Sequence, residues 1–171
     1  MKQLSGGTYQ SLAFQHKKES TKKREAFFLE FADSIVPGLK KTKVYITGGF
    51  KTVQGMVDAL KTVDGVGLAR PVCQEFHLTK DMLEGKIEGA IDQKVDQANF
   101  GLTNVIAGSQ IRQVGRDQEP IDMGVQENVD GFMKDMGTWG KKMEEHAADM
   151  NMYGYVDVDS VHPQKYGTVK A

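Results

Sequence analysis

The stretches Val44-Tyr45-Ile46-Thr47-Gly48-Gly49-Phe50 and Asp64-Gly65-Val66-Gly67-Leu68-Ala69-Arg70-Pro71 hold the residues whose types and spacing could do chemistry. Each is a short apolar run that ends in small residues, and a helical pattern lies between them. Glycine lets the chain approach an anion closely and adopt positive φ. Arg70 adds a charge-assisted, potentially bidentate contact to the same anion. Strand, glycine turn, helix, strand, glycine turn with an arginine is how consecutive β/α units present backbone N–H groups to a phosphate. From spacing alone, ordinary turn glycines beside a surface cation compete evenly with that reading.

The elements that must position these loops follow from periodicity. Lys43 to Thr47 is an uninterrupted β-branched and aromatic run of the kind buried in parallel sheets. Thr52 is the predicted N-cap of a helix reaching about Lys61, with Val53, Met56, Val57 and Leu60 facing inward. Asp64-Gly65 turns the chain into a last strand at Val66-Gly67-Leu68, and Pro71 prevents its regular continuation. Upstream, Lys17 to Arg24 is a dense charge run, read as a solvated loop and first helical turn rather than a basic patch for an acidic partner. Ser20 or Thr21 caps a helix from about Lys22 to Val36, in which Phe27, Phe31 and Ile35 form a stripe that packs in a core. Pro37-Gly38 stops it.

Downstream, Thr79 is the expected cap of a short helix from Lys80 to Glu84. Gly101 to Asp122 lacks sustained periodicity and reads as a long surface loop. A helix is expected from near Met123 to Asp149, with Val125, Val129, Phe132, Met136, Trp139 and Met143 as a heptad-like seam. Gly124, Gly131, Gly137 and Gly140 weaken it as a freestanding coil, which favours packing on the parent domain. Tyr153 to Ala171 reads as a tail that packs at its aromatics and is mobile at its end.

Other chemistries find little support. Lys and Arg number 22 against 23 Asp and Glu, without the basic excess of a nucleic-acid footprint. The single cysteine, Cys73, excludes an internal disulfide framework and suits a reducing compartment. A buried inert thiol is favoured there over a reactive one. His16, His77, His146 and His162 are scattered without zinc spacing, so no metal is expected and no catalytic role is assigned to them. There is no nucleophile elbow, Walker loop or Rossmann glycine pattern. With no apolar run of about 18 residues and no signal-peptide core, no membrane association is expected and the cytoplasm is the default location.

The same two segments carry a family resemblance. Thr47-Gly48-Gly49-Phe50 and Gly67-Leu68-Ala69-Arg70-Pro71 resemble the ends of the seventh and eighth barrel strands of the old yellow enzyme family. These are NAD(P)H:flavin oxidoreductases that bind FMN in a TIM barrel. Leu4-Ser5-Gly6-Gly7-Thr8-Tyr9 is similar to the end of the sixth strand in fungal-type members. Similarity extends to Gly101-Leu102-Thr103-Asn104 and the Trp139 helix. The resemblance implies that N–H groups near Gly48 and Gly49, with Gly67, Ala69 and Arg70, hold the FMN phosphate, and that the Arg70 side chain neutralises it. Family members often have glycine where Ala69 stands. The family's substrate-activating histidine pair or histidine-asparagine pair, and its proton-donating tyrosine, come from earlier strands and match nothing here.

A complete barrel takes about 250 residues and rarely fewer than about 200, whereas this chain has 171. The expected fold is therefore α/β, a partial TIM barrel of about the last three β/α units over residues 1–87. Residues 88–171 form a loop and helical C-terminal extension packing on the barrel. Three strands leave a sheet edge open, which implies a complementary half-barrel chain or self-association as partner. The parent reaction passes hydride from NAD(P)H through FMN to an activated alkene or similar acceptor. The alternatives are a non-catalytic FMN- or phosphate-binding or interaction module, and a truncated fragment without independent activity.

Overall fold

The computed structural model describes residues 2–5, 29–30, 32–148, 154–162 and 164–167. They divide into two compact units: one holds the described residues up to Val72 together with Phe76–Ala90, the other holds Cys73–Glu75 and those from Ile91 onward.

The first unit is built on a three-stranded parallel sheet of β1 (Lys2–Ser5), β2 (Val44–Thr47) and β3 (Gly65–Gly67), paired in that order. β2 is central, with Leu4 opposite Ile46 on one side and Ile46 opposite Val66 on the other. Strand alternation sends Val44 and Ile46 into the core at 1% and 0% exposure, while Tyr45 between them is 38% exposed. Ala32, Phe50, Ala59 and Val63 complete that core, with Leu29, Val36, Leu39, Met56 and Leu68 packed against it.

α1 (Val53–Ala59) joins β2 to β3, and Thr52 caps it by accepting from the Gly55 N–H at 3.1 Å. Its inward stripe differs from expectation: Met56, Ala59 and Val63 meet the core, whereas Val57 and Leu60 are half exposed. Four- and three-residue steps from Met56 fix that face, and Val57 and Leu60 lie one position off it. Upstream, residues 29–30 and 32–35 are helical and pass into a 3-10 turn at Val36–Gly38 containing Pro37. Phe27, Phe28 and Phe31 lie outside the described residues, as do the charge run at 17–24 and the Gly6-Gly7 segment.

β3 covers Gly65–Gly67, one residue earlier than expected. It is followed by a single turn, α2 (Pro71–Gln74), and by α3 (Leu78–Leu83). The predicted cap at Thr79 is incorrect: His77 holds the N-cap position without a side-chain bond, and Leu78, 1% exposed, lies inside the helix. Gly85 follows α3 with φ 70°, a value that suits glycine.

The second unit overturns the loop expected over Gly101 to Asp122. Phe100–Val114 is a continuous helix, α4, whose start is capped by Asn99 Oδ1 accepting from the Leu102 N–H at 3.0 Å. Its buried face follows helical spacing through Thr103, Ile106, Ala107, Gln110 and Gln113. Three of those five are polar, so the helical period is present in burial and absent from hydrophobicity. Thr103 and Ser109 satisfy their hydroxyls on helix carbonyls of Asn99 and Val105, at 3.0 and 2.8 Å. Gln74 Oε1 accepts from Gln93 Nε2 at 2.9 Å, Gln110 Nε2 at 3.1 Å and the Met123 N–H at 3.2 Å.

α5 spans Gln126–Glu145, with Val125 at its N-cap. Along the expected seam, Val129 and Phe132 are buried, Met136 and Trp139 pack against the same core, and Val125 is 40% exposed. That core also takes Ile106, Ile121, Met123, Val156 and Val158. The tail packs through Val156 and Val158 in this core, and of its aromatics Tyr155, 39% exposed, lays its ring against Gly108 of α4. Asp135 fixes this segment by accepting from the Asp159 and Ser160 N–H groups, each at 2.8 Å, and from Ser160 Oγ at 2.6 Å. No helix among the described residues is long and apolar enough to cross a membrane.

Candidate functional site

The carboxyl ends of β2 and β3 lie side by side because Thr47 and Gly67 are register partners. Directly after Thr47 the chain takes two consecutive positive φ values, 135° at Gly48 and 76° at Gly49. Such a pair of conformations is open to glycine and strained for other residues. The loop is anchored on both sides. Phe50 enters the core at 2% exposure, and Lys51 and Val53 bond Ala90 and Glu88 through main-chain contacts of 2.8 Å around the Thr52–Gly89 bridge.

β3 contributes a bare surface to the same side of the sheet. A Cβ at Gly65 would stand 2.5 Å from the Tyr45 ring, and one at Gly67 would overlap Thr47 Oγ1. Both glycines are therefore required by the side chains of β2. Leu68 then packs on the core. Ala69 is exposed, Arg70 is half-buried, and the Ala69 carbonyl accepts from the Val72 N–H at 3.2 Å. Pro71 opens α2 at a position where a helix has no use for the missing N–H.

The opposite end of the sheet is pinned by an ion pair. Asp64 accepts from Lys43 Nζ at 2.6 Å and from the Val44 N–H at 3.0 Å, and its own N–H donates to the Val44 carbonyl at 2.9 Å. The Lys43 hydrogen bond, then that of Val44, holds the Asp64 carboxyl below its ordinary range, against a weaker opposing effect of desolvation. The same partner raises Lys43. The signal for this clamp was present in the sequence as a lysine before one strand and an aspartate before the next. The clamp lies at the amino end of the β2–β3 pair, and the two glycine turns lie beside each other at the carboxyl end.

The structure thus brings Gly48, Gly49 and Gly67 to one edge of the sheet, with Ala69 and Arg70 directly beyond it. This arrangement can present main-chain donors, an arginine and the Thr47 hydroxyl to a small anion. Elsewhere, His77, His146 and His162 are exposed and Cys73 is half-buried, while His16 lies outside the described residues. Among the described residues no group of three or more histidine, cysteine or acidic side chains is arranged to hold a metal ion.

No protein-family model matches the chain. It is 46% identical over 142 residues to the NADH-dependent flavin oxidoreductase nadA of Aspergillus parasiticus, a match that covers 82% of this chain and 32% of that protein. It is 38% identical over 77 residues to the NADH-dependent flavin oxidoreductase iccE of Talaromyces variabilis, covering 40% of this chain and 19% of the relative. A third relative, the NADH-dependent flavin oxidoreductase iliE of Neonectria sp., is 34% identical over 80 residues, covering 40% of this chain and 10% of the relative. The chain therefore spans about a third of the first relative's length and less of the other two. Over most of its own length the chain is homologous to part of one protein named an NADH-dependent flavin oxidoreductase, and over shorter stretches to parts of two others so named.

Proposed function

We propose that the edge formed by Gly48, Gly49, Gly67, Ala69 and Arg70 holds the phosphate of FMN, and that the chain is the C-terminal portion of an old yellow enzyme-type NAD(P)H:flavin oxidoreductase. The observation that carries this reading is the Thr47–Gly67 pairing, which sets two glycine-bearing strand ends at one sheet edge. The residues fit the group. Gly48 and Gly49 hold positive φ where the backbone must turn its N–H groups outward. Gly67 keeps the neighbouring strand end free of a side chain. Arg70 supplies a permanent positive charge with geometry suited to phosphate oxygens.

Bound FMN supplies the hydride chemistry, from NAD(P)H to an activated alkene or related acceptor. The part of this chain is to bind and orient: the glycine turns receive the phosphate, Arg70 neutralises it, and the core-packed Phe50 and Leu68 keep both loops in place. A partial TIM barrel accounts for the sheet. Parallel sheets are covered on both faces, yet the face bearing Tyr45 is 38% exposed at that residue. A complementary half-barrel chain, or a second copy, would cover that face and the sheet edge. A cytoplasmic setting agrees with the lone cysteine.

A second reading, a flavin- or phosphate-binding module without catalysis of its own, is favoured by one observation. All three described histidines are exposed, and none belongs to the two glycine-bearing segments at residues 44–50 and 64–71. Titration with FMN and with riboflavin tests the phosphate assignment common to both readings. FMN binds and riboflavin, lacking the phosphate, binds at least about tenfold more weakly. Equal binding of the two would remove the cradle.

A further inference from the structure

The Gly48-Gly49 turn has little slack. Only those two residues separate Thr47, the last of β2, from Phe50, which is 2% exposed in the core. The backbone yields softly only at φ and ψ, so a displacement beyond Phe50 is taken up largely by the two glycines. The chain beyond Phe50 is fixed by a short strap, Glu88-Gly89-Ala90, from the segment that follows α3.

The strap runs antiparallel to Lys51-Thr52-Val53, with Gly89 opposite Thr52. Two main-chain hydrogen bonds of 2.8 Å join them, from the Ala90 N–H to the Lys51 carbonyl and from the Val53 N–H to the Glu88 carbonyl. Thr52 also caps α1 through the Gly55 N–H. The strap therefore grips the chain where the glycine turn passes into the helix.

Gly89 is what lets the strap come this close. A Cβ there would stand 3.0 Å from the Lys51 carbonyl oxygen and 3.5 Å from Thr52 Cα. Carbon–oxygen contacts of this kind ordinarily stand at about 3.3–3.6 Å. Both neighbours are main-chain atoms, so they give way only if the backbone after the turn shifts. Gly89 does not have positive φ, and the effect of an added methyl therefore falls on that contact rather than on its own backbone.

We infer that Gly89 is a positioning residue for the anion turn: by admitting the strap against the Lys51 carbonyl, it fixes Gly48 and Gly49 in the arrangement that receives the phosphate of FMN. This role rests on the phosphate reading above and belongs to a residue outside both glycine-bearing segments. Good N–H···O distances span only about 0.5 Å, so a backbone shift of a few tenths of an ångström is enough to weaken main-chain contacts to a phosphate.

Flavin fluorescence quenching gives the affinities of FMN and riboflavin for the parent chain, for Gly89→Ala and for Ala90→Pro. The first variant sets a methyl against Lys51, and the second removes the N–H donor of the Lys51 carbonyl. The readout is the ratio of the two affinities. Partial unfolding lowers the apparent binding of both flavins and leaves the ratio alone, whereas a displaced turn weakens FMN only. The parent chain is expected to prefer FMN by at least about tenfold, and each variant to show a preference at least about threefold smaller. A parent preference that persists undiminished in either variant overturns the role of Gly89 and leaves the cradle standing. A parent chain without any preference removes the cradle, and the role of Gly89 with it.

Discussion

Thr47 and Gly67 face each other across β2 and β3, and a methyl group at position 67 would overlap Thr47 Oγ1. The glycine is thus a requirement of packing between two strands as well as of any ligand. Gly67→Ala is expected to destabilise the first unit by about 1–3 kcal/mol through overpacking. Thr47→Ala in the same chain should recover part of that loss, because it removes the colliding atom. Urea unfolding of the two single variants and the double variant measures the coupling; simple additivity would mean that the two residues do not meet.

Glycines in this chain separate into those the backbone needs and those it does not. Gly49 has φ 76°, and Gly49→Ala should cost about 1–2 kcal/mol. Gly137 and Gly140 lie exposed inside α5, and a Cβ at either would meet nothing within 4 Å. Gly137→Ala and Gly140→Ala should each stabilise the second unit by about 0.5–1 kcal/mol. Thermal unfolding followed through Trp139 fluorescence reads the α5 variants, and backbone circular dichroism reads Gly49→Ala.

The Lys43–Asp64 clamp gives the first unit a pH dependence of known sign. The folded-state pKa of Asp64 is below its reference value of 3.8. Its stabilisation is therefore fully present above that reference value and is lost as pH falls through the lower, folded-state value. Lys43 is raised above 10.5, so its share is present below that value and lost as pH rises through the folded one. Asp64→Asn should flatten the acid side of the stability profile relative to the parent chain. Urea midpoints measured from about pH 6 down to about pH 3 test this; parallel profiles for the two chains would contradict it.

The parts of this fold that were legible in the sequence are those where chemistry and period coincide. Val44 to Thr47 is apolar and β-branched, Thr52 is a capping residue, and Pro37-Gly38 ends a helix, so local physics was sufficient. α4 is hidden from hydrophobic periodicity because its buried stripe at Thr103, Gln110 and Gln113 is polar: Thr103 is satisfied within the helix, Gln113 by Ile121 just beyond it, and Gln110 by Ile121 and the distant Gln74. Its glycines also concealed it: Gly108 is buried where a Cβ would overlap the Tyr155 ring. The packing of the tail is hidden for a related reason. Val156 and Val158 are only two apolar residues, and they gain value from a core supplied by α4 and α5. At the candidate site the glycines were visible by type. Their neighbourhood was not, since it depends on the pairing of Thr47 with Gly67.

Gln74 ties α4 to the segments before and after it. Its Oε1 accepts from Gln93, Gln110 and the Met123 N–H, and its Nε2 donates to Asp122 Oδ1 at 2.9 Å. Gln74→Ala would leave buried donors unpaired and should cost at least about 2 kcal/mol. The change should be seen in the denaturant midpoint followed by Trp139 fluorescence. A midpoint unchanged from the parent would show that the glutamine network adds nothing net.

On the reading proposed above, Arg70 and the adjoining glycine turns form a cradle for the phosphate of FMN. Its most direct test is an FMN fluorescence-quenching titration of the purified chain and of Arg70→Ala, with the molar mass of each measured in the same buffer. Saturable quenching by the parent chain is expected, with at least about tenfold weaker binding in Arg70→Ala from loss of a charge-assisted contact. A folded, soluble chain that fails to quench FMN, or an Arg70→Ala chain that binds it equally well, would rule out a phosphate cradle at Arg70.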